Sequence, residues 1–433
     1  MSKNTKKPRK CKLEPLSQYE IMAAASPLAL FALVGLSFDL LNLTVRIPAI
    51  ALQAVMAHVA GLFVLCRKPS AVKVAQLLGA LSHDQLTRLV YGQRWTAHAI
   101  MLSFVALANA LGIPGYLVID DTHIPRPRGR KVKGAYWDWD HAQRKNVLGY
   151  RMVVVLWVAG SWMIPLAFAF WHKKGARAKY RTKNEIARTL LQWTVRRVGT
   201  ARHLAFDAWY ANKKMFALCE ELGLKWFTRV KKNTKLNWRG RRLRADTIGR
   251  RLLQASRWYR RSVLSGGVAR KAVVQWGEQG PFAFVVLRDE IDGECSAMRY
   301  LLASTPGLST VEVAMGYKSR WQIEVFFETL KQHFWLNAYQ GRTLRGEQTY
   351  VALSFLASVC AQYWATKTDA SLAEVKDWAS RLMLVADQKG EAHLALVRPL
   401  PADCLDGIEQ AKTIVKKELP KVLQLVSPLE KAG

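Results

Sequence analysis

The order of strand-like and helix-like segments in the middle of the chain restricts the fold more than any other feature. One apolar run ends at Asp120. Two β-rich runs follow it, and Gly160 and Ser161 between them predict the turn of a hairpin. Beyond this hairpin, helical spacing alternates with short strand-like runs, at residues 184–198, 203–206, 212–222 and 225–230. This order predicts an α/β fold in which helices cover a mixed sheet.

The same order of elements is that of a ribonuclease H-like fold. In such a fold the first and fourth strands are neighbours in the sheet. Asp120 ends the first strand and Asp207 ends the fourth, so we expect these two carboxylates to lie side by side. Because ligands of open α/β sheets bind outside the carboxyl ends of the strands, this edge is a candidate functional site.

The net charge of the chain indicates what kind of partner it binds. Lys and Arg number 65 against 32 Asp and Glu, which gives a formal net charge of +33. An excess of this size attracts phosphate backbones over long distances and makes association sensitive to salt. A basic tail is a weaker explanation, because basic residues are spread along the chain and only residues 3–12 resemble a mobile arm. Carboxylates within so basic a protein suggest divalent metals that act on a polyanion.

Length and cysteine content indicate a multidomain protein of the reducing cytoplasm. A chain of 433 residues exceeds the size at which one hydrophobic core keeps growing. Its six cysteines are scattered and form no C-x-x-C pair, which argues against zinc and against a disulfide framework. The polar, basic N-terminus does not resemble a secretory signal. Residues 47–65 are almost continuously apolar, and we favour buried helices over a membrane span because basic residues flank both ends.

Composition and periodicity divide the chain into four regions. We predict a helical N-terminal region at 1–112, a core at 113–232 and 308–370, a basic β-rich insertion at 233–307, and a helical C-terminal region at 371–433. The insertion is identified by frequent Arg, Trp and Gly and by short strand-like runs.

The N-terminal region contains a helix-turn-helix candidate. A short helix at residues 72–78 is followed by a turn at Gly79 and by a second helix from Ser82. Ser82 and Gln85 have the spacing of a capping box, which supports a helix start there. In one interpretation Gln85 and Arg88 contact DNA. In the other the two helices only pack within a bundle, and the sequence leaves both open.

The segment from Tyr317 to Phe334 is predicted to form one amphipathic helix. At about 100° per residue, Tyr317, Glu324 and Lys331 lie on nearly one line, and Arg320 lies beside it. The apolar stripe on another face consists of Ile323, Phe327, Leu330 and Phe334. Taken alone, the charged line is also compatible with a surface ladder of salt bridges.

The spacing of these residues resembles a known signature. Tyr317, Arg320, Glu324 and Lys331 match the Y-R-E-K signature of one branch of bacterial insertion-sequence DDE transposases. The run that begins with Asp120, Asp121 and Thr122 is similar to the first acidic motif of that group, and residues 206–210 are similar to the second. A β-rich insertion before the glutamate is a further trait of the group. The resemblance covers about residues 114–350.

The resemblance implies a chemistry for the three acids. Asp120, Asp207 and Glu324 would be the catalytic residues and would hold two Mg²⁺ ions, for which Mn²⁺ could substitute. Two such ions stabilise the attacking and leaving oxygens of an in-line displacement at phosphorus. The expected reaction is metal-dependent cleavage at the ends of a DNA element and transfer of the strands into target DNA.

The resemblance also implies partners and DNA contacts. The protein would bind double-stranded DNA at terminal inverted repeats and at a target, form a homodimer in the DNA complex, and act in the bacterial cytoplasm at the nucleoid. Tyr317, Arg320 and Lys331 would contact phosphates at the cleaved end. Excision would be of the cut-and-paste kind and pass through a hairpin, with Trp258 or Tyr259 stacked on a base. These aromatic residues could instead fill the core of the insertion.

Three assignments stay open on the residues alone. Asp121 competes with Asp120, and we favour Asp120 because only one of two adjacent strand residues can point into the site and Asp120 begins the D-x-T pattern. Glu328 competes with Glu324, which alone completes the signature. The acidic and aromatic cluster at residues 136–141 is either a polar loop or a support for the metal ligands.

Two alternative functions share the same fold. A DNA-binding protein derived from a transposase would be catalytically silent, and loss of an acidic residue would identify it. A hydrolytic nuclease would cleave DNA without joining it and would not need the basic insertion. The presence of all three acids favours a transposase.

Overall fold

The computed structural model describes the central part of the chain and portions of its ends. It covers residues 49–64, 70–78, 82–91, 96–126, 129, 132, 134–140, 144–173, 180–254, 268–288, 290–291, 294–295, 297–339, 341–375, 382–386 and 392–396. Trp258 and Tyr259, which were predicted to contact DNA, lie outside the described residues, as do Gly79 and His141.

A mixed sheet of eleven strands forms the centre of the described structure. Its strands are β1 (Gly115–Pro125), β2 (Tyr136–Asp140), β3 (Lys145–Ala159), β4 (Trp162–Trp171), β5 (Ala201–Phe206), β6 (Lys225–Arg229), β7 (Lys235–Trp238), β8 (Arg241–Arg244), β9 (Val268–Trp276), β10 (Gln279–Arg288) and β13 (Arg299–Ala303). Between β10 and β13 in the chain lies a short pair of strands, β11 (Glu290–Ile291) and β12 (Glu294–Cys295). They pair in the order β2, β3, β1, β5, β6, β13, β10, β9, β7 and β8, and β4 also pairs with β3.

The first and fourth predicted strands are neighbours, as the sequence indicated. β1 runs antiparallel to β3 and parallel to β5, and the register places Ile119 opposite Phe206. Asp120 and Asp207 are the residues that follow this pair, so they lie side by side where β5 ends. The prediction that Asp120 ends its strand is wrong, because β1 continues to Pro125 through its pairing with β3. β3 and β4 form the predicted hairpin, and β6 extends the sheet parallel to β5. The ribonuclease H-like core is therefore confirmed.

Helices pack on both faces of this sheet. They are α1 (Ala49–Val64), α2 (Ala71–Leu78), α3 (His83–Leu86), α4 (Thr96–Leu111), α5 (Lys183–Val195), α6 (Lys213–Glu221), α7 (Ala245–Gln254), α8 (Thr310–Lys318), α9 (Trp321–His333) and α10 (Leu344–Thr368). α10 is buried along most of its 25 residues. A helix that is apolar on nearly all sides belongs inside a large core, and α1, α4 and α9 pack against it.

The apolar run at residues 47–65 contributes the buried helix α1. His58 of this helix is buried, and its Nε2 atom lies 2.9 Å from the hydroxyl of Tyr91. The ring of His58 also packs edge-on against Tyr350 of α10. Among the described residues, no helix has both the length and the apolar character that a membrane crossing requires.

The β-rich insertion extends the core sheet. β13 pairs antiparallel with β6, with Leu301 opposite Arg229, and β10 and β9 follow β13 in the sheet. The sequence predicted short strands in this insertion but not the helix α7. α7 buries Ala245, Ile248 and Gly249, and Gly249 lies directly against Tyr300.

The prediction of a wholly helical C-terminal region is wrong for residues 382–396. Leu382–Ala386 and Ala392–Leu396 form an antiparallel pair of strands, β14 and β15. Both are short apolar runs, and the polar segment between them contains Gly390, which is the pattern of a hairpin. Residues 397–433 of the predicted helical region lie outside the described residues.

Candidate active site

Asp120 and Asp121 lie on opposite faces of β1. Side chains alternate along a strand, and the register pairs Asp120 with Val154 and Asp121 with Val153 of β3. Asp120 is on the face that α9 covers, because its carboxylate bonds to the residue preceding that helix. Asp121 points to the opposite face, toward Lys183 at the start of α5.

The guanidinium of Arg320 joins two of the three predicted acids. Its Nη1 donates to Oδ2 of Asp120 at 3.0 Å, and its Nη2 donates to Oε1 of Glu324 at 2.5 Å. Burial lowers the pKa of this arginine, but the phenol of Tyr317 and the two carboxylates outweigh it and raise the pKa above its ordinary value. Asp120 and Glu324 therefore converge on one cationic group.

The predicted single helix around Glu324 is in fact two helices. α8 ends at Lys318 and α9 begins at Trp321. Between them the amides of Arg320, Gln322 and Ile323 donate to carbonyls three residues earlier, and the Ser319 hydroxyl donates to Gly316. These contacts replace the helical bonds between residues four apart.

The apolar stripe predicted on this segment is confirmed, because its four residues are buried. The break changes the position of Tyr317, which belongs to α8 and not to the axis that carries Glu324 and Lys331. Tyr317 nevertheless stays near the acids. Its ring centroid is 5.6 Å from the Arg320 guanidinium carbon, and its pKa is raised by burial and by the nearby charge of Asp207.

Asp207 completes the group of acids from the end of β5. It is half-buried, and its carbonyl accepts a hydrogen bond from the amide of Tyr210 in the following turn. Its charge reaches Asp120, since Asp207 contributes to the raised pKa of that residue. The parallel register of β1 and β5 therefore brings two acids together that are 87 positions apart in the sequence.

The electrostatics of Asp120 favour a cation at this edge. Burial and, to a smaller extent, the neighbouring carboxylates of Asp121 and Asp207 raise the pKa of Asp120 to about 7, although Arg320 opposes this shift. Crowded, desolvated carboxylates ionise readily only when a cation lies beside them. In this arrangement the guanidinium of Arg320 supplies that positive charge.

The carboxylate oxygens of the site suit a hard divalent cation, although Arg320 binds two of these carboxylates. Mg²⁺ prefers carboxylate oxygens and needs few protein ligands, and three carboxylates face one strand edge. Among the residues that the structure describes, no three His, Cys, Asp or Glu side chains are already arranged to hold a metal ion. Arg320 would have to release Asp120 and Glu324 before these oxygens could bind a metal.

Asp121 forms a separate network behind the site. Its carboxylate accepts hydrogen bonds from the Tyr210 hydroxyl at 2.9 Å, from Lys183 at 3.0 Å and from Arg151 at 3.1 Å. Arg151 also donates to Asp138 at 2.6 Å. The sequence analysis did not identify Arg151, Lys183 or Tyr210. Of these, only Tyr210 could have been identified from the sequence, because it lies within the second acidic motif.

Within the acidic and aromatic cluster at 136–141, Tyr136–Asp140 form the edge strand β2. Asp138 binds Arg151, and an oxygen of Asp140 lies 3.7 Å from Nδ1 of His123. Trp137 and Trp139 point to the other face and are exposed. Lys331, from the last turn of α9, lies near Asp140, and burial lowers its pKa. Glu324 lies in the first turn of the same helix.

The remaining predicted residues lie at other places. Glu328 is exposed and accepts a hydrogen bond from Gln332, so it is not among the converging acids. Ser82 and Gln85 form the predicted capping box. The helix that follows consists of the four-residue α3 and a π-helical turn at Thr87–Tyr91. Gln85 and Arg88 are exposed on it.

Comparison with known proteins agrees with the arrangement of the acids. The family model for the transposase DDE domain matches residues 113–360, which include all three acids and the strands and helices that carry them. No curated protein matches the chain. Since the matched region covers more than half of the 433 residues, the chain belongs to the transposase DDE domain family.

Proposed function

We propose that this protein is a DNA transposase that cleaves the ends of its element and transfers them to target DNA. The observation that carries this proposal is the convergence of Asp120 and Glu324 on Arg320, with Asp207 at the neighbouring strand end. Members of this family act on DNA, and the net charge of +33 favours binding to phosphate backbones.

In this proposal Asp120, Asp207 and Glu324 hold two Mg²⁺ ions, or Mn²⁺ in their place. Such ions supply a Lewis acid and a template for in-line displacement at phosphorus. The protein contributes fixed carboxylates within β1, after the end of β5 and on α9. Because the two strands are paired in the sheet, the spacing of Asp120 and Asp207 is rigid before DNA binds.

Arg320, Tyr317 and Lys331 are proposed to bind the DNA backbone at the cleaved end. A guanidinium can bind a phosphate through two nitrogens as it binds two carboxylates here. If Asp120 and Glu324 held a metal, Arg320 would be available for a phosphate beside them. Tyr317 packs against Arg320 and limits the directions in which the guanidinium can move.

Several finer features belong to the same proposal. They are membership of the Y-R-E-K branch, cut-and-paste excision through a hairpin, base stacking by Trp258, a homodimer in the DNA complex, and action at the nucleoid. We propose that residues 1–112 recognise DNA, that the core catalyses the reaction, and that the insertion at 233–307 supports the DNA end. We propose no role for residues 371–433.

The direct test uses the full chain, Mg²⁺ and a labelled duplex that carries the terminal inverted repeats of its own element. We expect end cleavage and joining to a target plasmid. Asp207→Asn should abolish both reactions while DNA binding persists, because the amide keeps the shape of the side chain but loses its charge. Glu328→Gln is the matched control and should retain activity.

The same assay separates the alternatives. Cleavage without joining would identify a hydrolytic nuclease, and binding without cleavage would identify a catalytically silent DNA-binding protein. A strand of doubled length on denaturing gels would support the hairpin route. If Asp207→Asn cleaves at the wild-type rate, the assignment of the metal ligands is wrong.

A further inference from the structure

A groove of about 560 Å³ lies between the β2–β3 hairpin and the end of α9. Trp137, Lys145 and Asn146 line it from the hairpin, and Lys331 and Trp335 line it from the helix side. Its volume is within the range of pockets that hold small organic molecules. None of the roles assigned above to the converging acids uses this groove.

The groove opens on the face of the sheet that carries Asp120. The register pairs Trp137 with Leu148 and Trp139 with Asn146 of β3. Residues an even number of positions apart on a strand share a face, so Asn146 and Leu148 lie on the same face as Val154. Trp137, Trp139 and Asp120, which pair with these three residues, therefore lie on one face of the sheet. α9, which carries Glu324 and Lys331, packs on β1. The groove is thus a lateral extension of the surface on which the active site lies.

Two tryptophans on this face are exposed. Trp137 is 52% exposed and Trp139 is 46% exposed. An exposed aromatic ring in the wall of a groove is available to stack on a base. The backbone beneath Trp137 is fixed, because Lys173 donates a hydrogen bond to its carbonyl.

The charged residues of the groove are cationic. Lys145 and Lys331 are the two charged residues that line it. An aromatic ring and two cations in one groove fit a flat base joined to a phosphate, since the ring stacks on the base and the ammonium groups contact the phosphate. An apolar peptide would offer these ammonium groups no anion.

We propose that this groove binds one unpaired nucleotide of the DNA, with its base stacked on Trp137 and its phosphate at Lys331 and Lys145. The inference rests on the proposed function, because it requires that DNA occupies the Asp120 face. It differs from the proposed role of Trp258, which lies in the insertion and belongs to another part of the chain.

The test compares two labelled duplexes of one sequence, one blunt and one with three unpaired thymidines at the 3′ end. Affinities of the full chain are measured by fluorescence anisotropy without Mg²⁺, so that no cleavage occurs. Trp137→Ala should weaken binding of the extended duplex by roughly 5- to 150-fold, the range for loss of one base stack. Binding of the blunt duplex should stay within about twofold, which also shows that the variant is folded.

Trp139→Ala is the matched control. It removes an equally exposed tryptophan from the same face of the same strand, two residues away and outside the groove, so it should bind both duplexes like wild type. An equal loss in both tryptophan variants would overturn the assignment to the groove. An equal loss of Trp137→Ala on both duplexes would overturn the selectivity for an unpaired nucleotide.

A second measurement avoids substitution altogether. With 2-aminopurine in place of the unpaired thymidines, the wild-type protein should quench the fluorescence of one position on binding, because stacking on an indole quenches this base. Binding with no quenching at any unpaired position would refute the proposal while leaving DNA binding intact. Failure of the wild-type protein to bind either duplex would instead refute the proposed function.

Discussion

Arg320 donates a hydrogen bond of 3.0 Å to Asp120, although 199 residues separate the two in the sequence. The same guanidinium holds Glu324 at 2.5 Å. A cation of the protein therefore occupies the position between two proposed metal ligands. In the proposed function, Arg320 would compete with the metal before DNA binds and would bind a phosphate afterwards.

Removal of Arg320 should strengthen metal binding in the absence of DNA. We expect Arg320→Ala to bind Mn²⁺ roughly tenfold more tightly, equivalent to about 1.4 kcal/mol, because the competing cation is gone. Isothermal titration calorimetry measures this affinity directly. Lys318→Ala removes an exposed positive charge at the end of α8 and should leave it unchanged. An Mn²⁺ affinity of Arg320→Ala equal to that of wild type would show that the guanidinium does not compete.

The stability of the metal-free protein should fall with rising pH because of Asp120. Its pKa is raised from 3.8 to about 7 in the folded state. Between these values the folded protein binds a proton at Asp120 that the unfolded chain does not bind, so unfolding is favoured as pH rises. Thermal melts from pH 5 to pH 8 in EDTA should show a smaller decline for Asp120→Asn than for wild type. Parallel declines would mean that Asp120 titrates normally.

Replacement of Asp121 should lower the free energy of unfolding at pH 8, where replacement of Asp120 should not. Its side chain is 8% exposed and is bonded to Lys183 and Arg151. Asp121→Asn removes the charge that these cations share and should lower the free energy of unfolding by about 1–3 kcal/mol in urea titrations. Asp120→Asn at pH 8 is the control and should not destabilise the protein. Equal stability of wild type and Asp121→Asn would argue that the network is only a surface contact.

Recognition of the terminal repeats can be separated from helix capping at Gln85. The Gln85 side chain caps the amide of Ser82, so alanine there would remove the cap as well as a DNA contact. Gln85→Glu keeps the capping box and should lower the preference for terminal repeats over random duplex. Arg88→Ala should have a similar effect, measured by competition binding. An unchanged preference in both variants would mean that this segment only packs within the bundle.

Much of the core was predictable because its signals are local. Alternation of apolar segments identified β1, the β3–β4 hairpin and β5, and a known strand order then placed Asp120 beside Asp207. The capping box at Ser82 and the buried stripe of α9 were also predictable, because they depend on residues a few positions apart.

What the sequence by itself determined is therefore the type of the main core strands, the buried face of α9 and the pairing of two acids, whereas α7 and the strands β14 and β15 were not predicted. Tertiary structure decided which groups meet from distant parts of the chain. Arg320 donates a hydrogen bond to Asp120, from which 199 residues separate it in the sequence. On the opposite face of β1, Asp121 accepts hydrogen bonds from Lys183, Arg151 and Tyr210. No periodic pattern in the sequence predicts these contacts, because they depend on how the elements pack and not on the spacing of residues within any one element.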